Sequence, residues 1–275
     1  MIIDSHQHFW SYSSDTHGWI NEDMKVLKRD FLPNDLLGLL EKAGVDGTVA
    51  VQVDQSLVEN DFLLYLMKNH PIIKGVVGWL DLKSANLDKQ IEQYKEYAGF
   101  KGVRHITQGE PDELFLANNE FIEGVRQIGR KGLTYDLLVY HDQLPVALDF
   151  VGKLREQKVV LDHLGKPDIK GCQLQPWKSH IQALAKRDYV YCKLSGMVTE
   201  ADFSSWTYED LVPYMETILE SFGPERLMIG SDWPVCLLAD DYEGVWDSFN
   251  KFISSLSMEE QRQIKGQTAM EFYSL

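Results

Sequence analysis

Two histidines one residue apart open the chain: His6 and His8 lie in the run MIIDSHQHF from Met1. Side chains at i and i+2 of a strand point to the same side, so both imidazoles can approach one point. Neutral imidazole is a common zinc ligand. The plain alternative is a chance pairing or a hydrogen-bonded core pair. Other apolar runs also end in polar groups: VVLDH at Asp162 and His163, LMIGSDW at Ser231 and Asp232, FKGVRHI at Arg104 and His105, and YVYCKLSG with Lys193 and Ser195. A carboxylate at the end of an apolar strand is costly unless it is paired or used. Asp232 is therefore a candidate metal ligand and a general base that takes a proton from water, against the alternative of a helix cap. His163 reads as a further ligand or as a neutral donor to a substrate carbonyl.

Five residues are candidates for substrate binding. Arg104 and His105 face opposite ways if their strand is regular, so one of them faces the barrel. Arginine suits a carbonyl or carboxylate. Lys193 reads as a substrate hydrogen-bond donor or a structural ion-pair partner, Trp79 as a pocket wall or core, and Gln52 as a partner for substrate hydroxyls. His17, His70 and His180 fall in expected loops or helices and read as surface residues.

Such residues need strands to align them. Eight short runs rich in β-branched and aromatic residues begin at Met1, Gly47, Ile73, Phe100, Leu133, Lys158, Tyr189 and Leu227. Helical patterns fill the gaps. PNDLLGLLEKAG stops at Gly44, a plausible C-terminal cap, and Asn60, Asn86 and Asn119 are candidate helix starts. Later helices are expected from Asp142, Pro176, Thr207 and Asp241, with a final one over Met258 to Phe272. Strands alternating with helices imply parallel units, and eight of them predict an α/β fold, a (β/α)8 TIM barrel, forming one domain over 1–275. A doubly wound sheet is the rival, but no G-x-G-x-x-G or Walker-type loop marks its switch point. Barrel sites lie at the C-terminal ends of the strands, where the polar residues above are found. The segment Trp10 to Asp30 is expected to cover the barrel mouth.

The formal net charge of −15 argues against nucleic acid and against an anionic membrane surface. It leaves a small-molecule substrate, and a homo-oligomer, open. The N-terminus lacks the pattern of a signal peptide. The three cysteines are widely spaced and form no CxxC pair, as expected for free thiols in a cytoplasmic protein.

With these residues placed, the chain resembles the sugar-lactonase-like branch of the amidohydrolase superfamily. The resemblance spans nearly the whole chain through IDSHQHFW, GVRHITQGEPD, GLTYDLLVY, VLDHLGKPDIKG, YCKLSGMVTEAD and RLMIGSDWPVC. It implies an amidohydrolase-like barrel, metal or catalytic roles for His6, His8 and His163, and the general base at Asp232. It further implies hydrolysis of a five-membered sugar lactone, of the L-fuconolactone or L-rhamnonolactone type, to the aldonic acid. Where the broader superfamily places a bridging lysine at the end of strand four, this chain has Arg104 and His105. One divalent ion, zinc, is therefore expected rather than two, with metal-free catalysis as the alternative. The rival functions are a metal-dependent decarboxylase, which needs several pocket arginines, and a non-catalytic sugar-binding protein.

Overall fold

A computed structural model describes residues 1–155 and 157–275. All eight expected strands form: β1 Ile3–Gln7, β2 Gly47–Val51, β3 Ile73–Gly78, β4 Phe100–Ile106, β5 Thr134–Leu138, β6 Val159–Leu161, β7 Val190–Leu194 and β8 Leu227–Ile229. They pair in parallel in sequence order in one sheet. The ladder ends at β8, and the barrel closes through a short seam: Asp232 N donates to His6 O at 2.8 Å and His8 N to Trp233 O at 2.7 Å.

Between the strands run α1 Pro33–Ala43, α2 Leu57–Asn69, α3 Leu87–Lys95, α4 Asn119–Arg130, α5 Leu144–Lys153, α6 Trp177–Ala185, α7 Tyr208–Phe222 and α8 Tyr242–Ile253. Gly44 ends α1 in the left-handed conformation expected of it, at φ 69°. The asparagine starts need correction. Ser56 caps α2, its hydroxyl accepting from Glu59 N. Asn60 lies inside α2, where its amide bonds both the N–H and the carbonyl of Trp79. Asn118, not Asn119, caps α4, and Asn86 precedes α3 without a side-chain cap bond. In each case a polar residue near a helix start has more than one backbone group within reach. The expected final helix is broken into α9 Met258–Arg262 and α10 Thr268–Tyr273 by a wider turn over Gln263–Gln267. Gly266, the weakest helix former in the segment, lies in that turn.

α10 closes the floor of the barrel. Its Ala269, Phe272 and Tyr273 pack with Ile3, Val49, Val51, Val77, Val160 and Met228, which point inward. The larger core fills the space between strands and helices. Trp10 to Asp30 folds back on itself, with Trp10 bridged to Phe31 and its Nε1 donating to Arg29 O at 2.9 Å. The short helix Glu22–Leu27 packs against Val235–Leu238 beyond the exit of β8, at the C-terminal end of the strands. His17, expected on the surface, is buried in this loop, its ring against Trp10 and Tyr12. The aromatic residues of the loop form a small core that a periodicity argument does not detect. Among the described residues, no helix is long and apolar enough to cross a membrane.

Candidate active site

The pairing of β1 with β2 aims the two histidines. Asp4 pairs with Thr48 and Gln7 with Ala50, so β1 takes three steps where β2 takes two. Such an irregularity shifts which side chains face inward. Ile3 packs on the barrel floor, and His6, three residues on, reaches the interior instead of Ser5. His8 follows on the same side, its ring 4.9 Å from that of His6. Asp4 faces the other way and locks the seam. Its carboxylate accepts from Ser231 N at 2.9 Å, Ser231 Oγ at 2.6 Å and Tyr242 Oη at 3.1 Å. Burial lifts it to about 6 despite these bonds.

The closing seam then places Asp232. Its Oδ1 lies 3.2 Å from His8 Nε2 and 3.9 Å from His6 Nε2. His163 reaches the same oxygen at 3.9 Å through Nε2. It does so from a left-handed backbone, φ 52°, continued by Leu164 at 57° and Lys166 at 45°. That conformation costs a non-glycine residue about 1–3 kcal/mol. It is held in part by Trp177 Nε1, which donates to Leu164 O at 2.7 Å. Gly196 is required beside it: at φ 60°, a Cβ would lie 2.6 Å from His163 Nδ1 and 3.2 Å from Asp232 Oδ2. Three imidazole nitrogens thus surround one carboxylate oxygen, and all four residues are buried.

The proton inventory of this cluster is informative. His8 Nδ1 is 2.7 Å from Val51 O. A carbonyl only accepts, so Nδ1 carries the proton and the Nε2 lone pair faces Asp232 Oδ1. Two acceptors then meet across 3.2 Å unless a proton or a cation lies between them. Burial lowers His163 well below the usual imidazole range. Burial, reinforced by Lys193, does the same to His6. Burial alone would raise Asp232, but His163, His8 and Lys166 outweigh it and hold the carboxyl below its ordinary value. The site therefore contains an ionised carboxylate beside two neutral imidazoles, those of His6 and His163.

Beneath the histidines lies a layer of buried charge. Lys193 Nζ is 3.0 Å from His6 Nδ1 and 3.0 Å from Asp162 Oδ1, and it also donates to Asp136 Oδ2 at 2.5 Å. Arg104 Nη1 reaches Asp162 Oδ2 at 3.3 Å and His6 Nε2 at 3.3 Å. Its Nη2 donates to Gln52 O and, at 3.3 Å, to Gln52 Oε1. Burial would raise Asp162, but Lys193 and Arg104 hold it low. Burial lifts Asp136 in spite of Lys193.

The structure thus gathers His6, His8, His163 and Asp232 at one point and sets Arg104, Gln52 and Lys193 directly under them. His105 faces away from Arg104, as alternation requires. Its ring stacks on Phe115 at 4.8 Å, its Nε2 meets Glu110 at 2.6 Å, and Trp79 Nε1 donates to its Nδ1 at 3.3 Å. Trp79 and His105 therefore partner each other and, among the described residues, make no hydrogen bond to the cluster.

Sequence reasoning gave no role to Asp162, Asp136, Asp4, Gly196 or Lys166. Asp162 ends an apolar strand just as Asp232 does, and Asp136 interrupts the apolar run TYDLL, so the cost of a buried carboxylate was a usable signal for both. Lys166 is part-buried beside Glu200, with Nζ 2.7 Å from Oε1. Burial would lower it, but Glu200 and Asp232 raise it.

The chain is similar over nearly its whole length to known proteins. The family described as amidohydrolase matches residues 3–275. The L-fucono-1,5-lactonase of Burkholderia multivorans is 37% identical over 99% of this chain and 96% of its own length. The L-fucono-1,5-lactonase of Burkholderia ambifaria is 34% identical over 89% and 84%. The crystal structure of an amidohydrolase from Burkholderia multivorans with bound zinc superposes with a TM-score of 0.97 at 37% identity, covering 100% of this chain and 99% of that one.

Proposed function

The chain belongs to the amidohydrolase family, and from that premise we propose that it hydrolyses a sugar-acid lactone to the open acid. The observation that carries the chemistry is the convergence of His6, His8 and His163 on one oxygen of a carboxylate held below its ordinary pKa. The names of the two Burkholderia relatives favour a 1,5-lactone of the L-fucono type. That ring has six members, where the sequence resemblance implied five.

The donor set fits a divalent ion. Ligand atoms around a tetrahedral zinc are about 3.3 Å apart, and the nitrogens lie 3.2–3.9 Å from Asp232 Oδ1. The facing lone pairs of His8 and Asp232 are what a cation would relieve. His6, His8 and Asp232, one of the groupings suited to a metal, would hold the ion, with His163 beside them. When bound, a zinc ion lowers the pKa of water and polarises a carbonyl. We assign the remaining work to the chain itself. Asp232 accepts the proton of the attacking water and returns it to the ring oxygen as the tetrahedral intermediate collapses. His163 is neutral and lies 2.9 Å from Ser195 Oγ through Nδ1. With Ser195 donating to that nitrogen, Nε2–H bonds the carbonyl oxygen as negative charge develops. A lactone has an alkoxide leaving group, so no covalent nucleophile is needed.

Arg104, Gln52 and Lys193 have their donors occupied under the histidines, and we assign them to positioning rather than substrate contact. Trp79 and His105 are assigned to the rim. The decarboxylase alternative calls for free arginines around a substrate carboxylate, whereas Arg104 is committed to Asp162 and Gln52. Cys172, Cys192 and Cys236 are all unpaired, which supports a cytoplasmic protein. The test is incubation of purified protein with L-fucono-1,5-lactone and other aldonolactones, with product acid followed by NMR against the buffer-only rate. Hydrolysis of none of them above that rate would refute the reading.

A further inference from the structure

A large cavity lies at the opposite end of the barrel from the histidines. It has a volume of about 1030 Å³ and is lined by the first residues of β4 and β5, the residues just before β6, the last turns of α3, α4 and α5, and the C-terminal residues Phe272–Ser274. Eight of its 21 described lining residues are lysine or arginine, and none is aspartate or glutamate. In a chain with 42 acidic and 27 basic residues, that is a strong local reversal of charge.

The ordinary explanation is that cations gather where helix C-termini expose carbonyls. It accounts for Lys95, Arg130 and Lys153, the basic residues in the last turns of α3, α4 and α5. Lys101 and Lys158, at the start of β4 and just before β6, serve a fourth helix end in the same way, turning to the carbonyls at the C-terminus of α10. Lys101 Nζ donates to Ser274 O at 2.6 Å and Lys158 Nζ to Glu271 O at 3.0 Å. Among the described residues, carboxylates do not neutralise the whole set. Nearby carboxylates engage Arg126, Arg130 and Lys131 through Glu123, Asp88 and Glu92. Among the described residues, Lys95, Lys101, Lys153 and Lys158 have no carboxylate within ion-pair distance. Four cations that have no carboxylate partner among the described residues thus surround a concave surface, which focuses a positive potential.

We propose that this basic cavity binds a small molecule carrying two or more phosphate charges. Concavity and several convergent cations suit a compact polyanion better than a flat protein surface. The distance from the histidines makes the site separate from lactone hydrolysis. Lys95 and Lys153, which line it, have no part in the proposed reaction, so their substitution leaves that reaction intact, and failure of that reaction leaves this site standing.

The probe is inorganic triphosphate, titrated calorimetrically into the full chain at 0.15 M salt, where exposed charges are screened over about 8 Å. Saturable binding is expected that weakens steeply with added salt. Lys95→Glu with Lys153→Glu should weaken it by at least about tenfold, since each reversal turns attraction into repulsion near the ligand. Lys95→Gln with Lys153→Gln, which avoids placing acids at helix C-termini, should give an intermediate loss. Circular dichroism confirms the fold of both. Absence of saturable binding would overturn the proposal. So would binding that both folded variants leave unchanged, because the anion would then be held elsewhere.

Discussion

Replacing Asp232 by asparagine separates chemistry from architecture at this site. The backbone of residue 232 holds the seam through His6 O and accepts from Cys236 N at 3.0 Å, and neither bond involves the side chain. The residue sits at φ 58°, a conformation asparagine adopts as readily as aspartate. The fold should therefore survive Asp232→Asn. What changes is the charge at the centre of three imidazoles. An amide cannot take a proton from water at neutral pH, and loss of a general base costs about 10²–10⁴-fold in rate, which corresponds to roughly 3–5 kcal/mol of barrier. Loss of a ligand to the proposed ion adds to this. The assay is kcat/KM on the best lactone found, with circular dichroism and thermal melting as controls for folding. A folded variant within about threefold of the parent would refute the role, being less than the smallest effect a general base is credited with. The residue would then be structural, and the water would need another proton acceptor.

Three further outcomes follow from the buried groups. Lys193→Met should cost about 3–5 kcal/mol of stability in chemical denaturation, because it removes the ammonium partner of two buried carboxylates, leaving Asp136 with only Tyr273 and Asp162 with Arg104. Adding Asp136→Asn should recover part of that loss, and no recovery would show that the lysine acts by packing alone. Thiol reagent should titrate one cysteine in the native protein, the exposed Cys172, and three after unfolding, since Cys192 and Cys236 are buried; three native thiols would contradict the core assignment. Glu59, lifted by burial to about 8 from an ordinary value of 4.5, stays protonated in the folded chain while the unfolded chain ionises. Its contribution to stability therefore declines as pH rises from about 4.5 to about 8, by on the order of 4 kcal/mol in all. Glu59→Gln should remove that decline from denaturation curves taken between pH 5 and 8, and an unchanged slope would place the titration elsewhere.

How much of this was legible in the sequence depends on what sort of interaction fixes each part. The strands were legible because each is a short apolar run set off by helical periodicity, and parallel strands buried on both faces carry that signal strongly. The convergence of His6, His8, His163 and Asp232 was legible because barrel topology forces polar strand ends together. The direction of individual side chains was not. Regular alternation from Ile3 would have turned Ser5 and Gln7 inward; the uneven pairing of β1 with β2 brings His6 and His8 inward instead. No local pattern announces that irregularity, which depends on the neighbouring strand. The same limit explains Lys193. Taken alone, it fitted a substrate contact or an ion pair equally well. What decides is the simultaneous presence of Asp136 from β5, Asp162 from the end of β6 and His6 from β1 around one ammonium group.

That arrangement continues below the site. Tyr273 of α10 donates to Asp136 Oδ2 at 2.7 Å, so a single chain of hydrogen bonds runs from the barrel floor through Asp136 and Lys193 to His6. The floor helix, which sequence periodicity placed only as the end of a longer helix, is tied by this chain to the position of a proposed metal ligand. An imidazole with Lys193 at one nitrogen and Arg104 at the other has little freedom to rotate. Its strand brings the side chain into the barrel, and the cations, with the carboxylates that neutralise them, hold the ring's orientation there. The buried charges thus fix a direction in the site that the fold alone leaves open, and removing any one of them should disturb His6 before it disturbs the barrel.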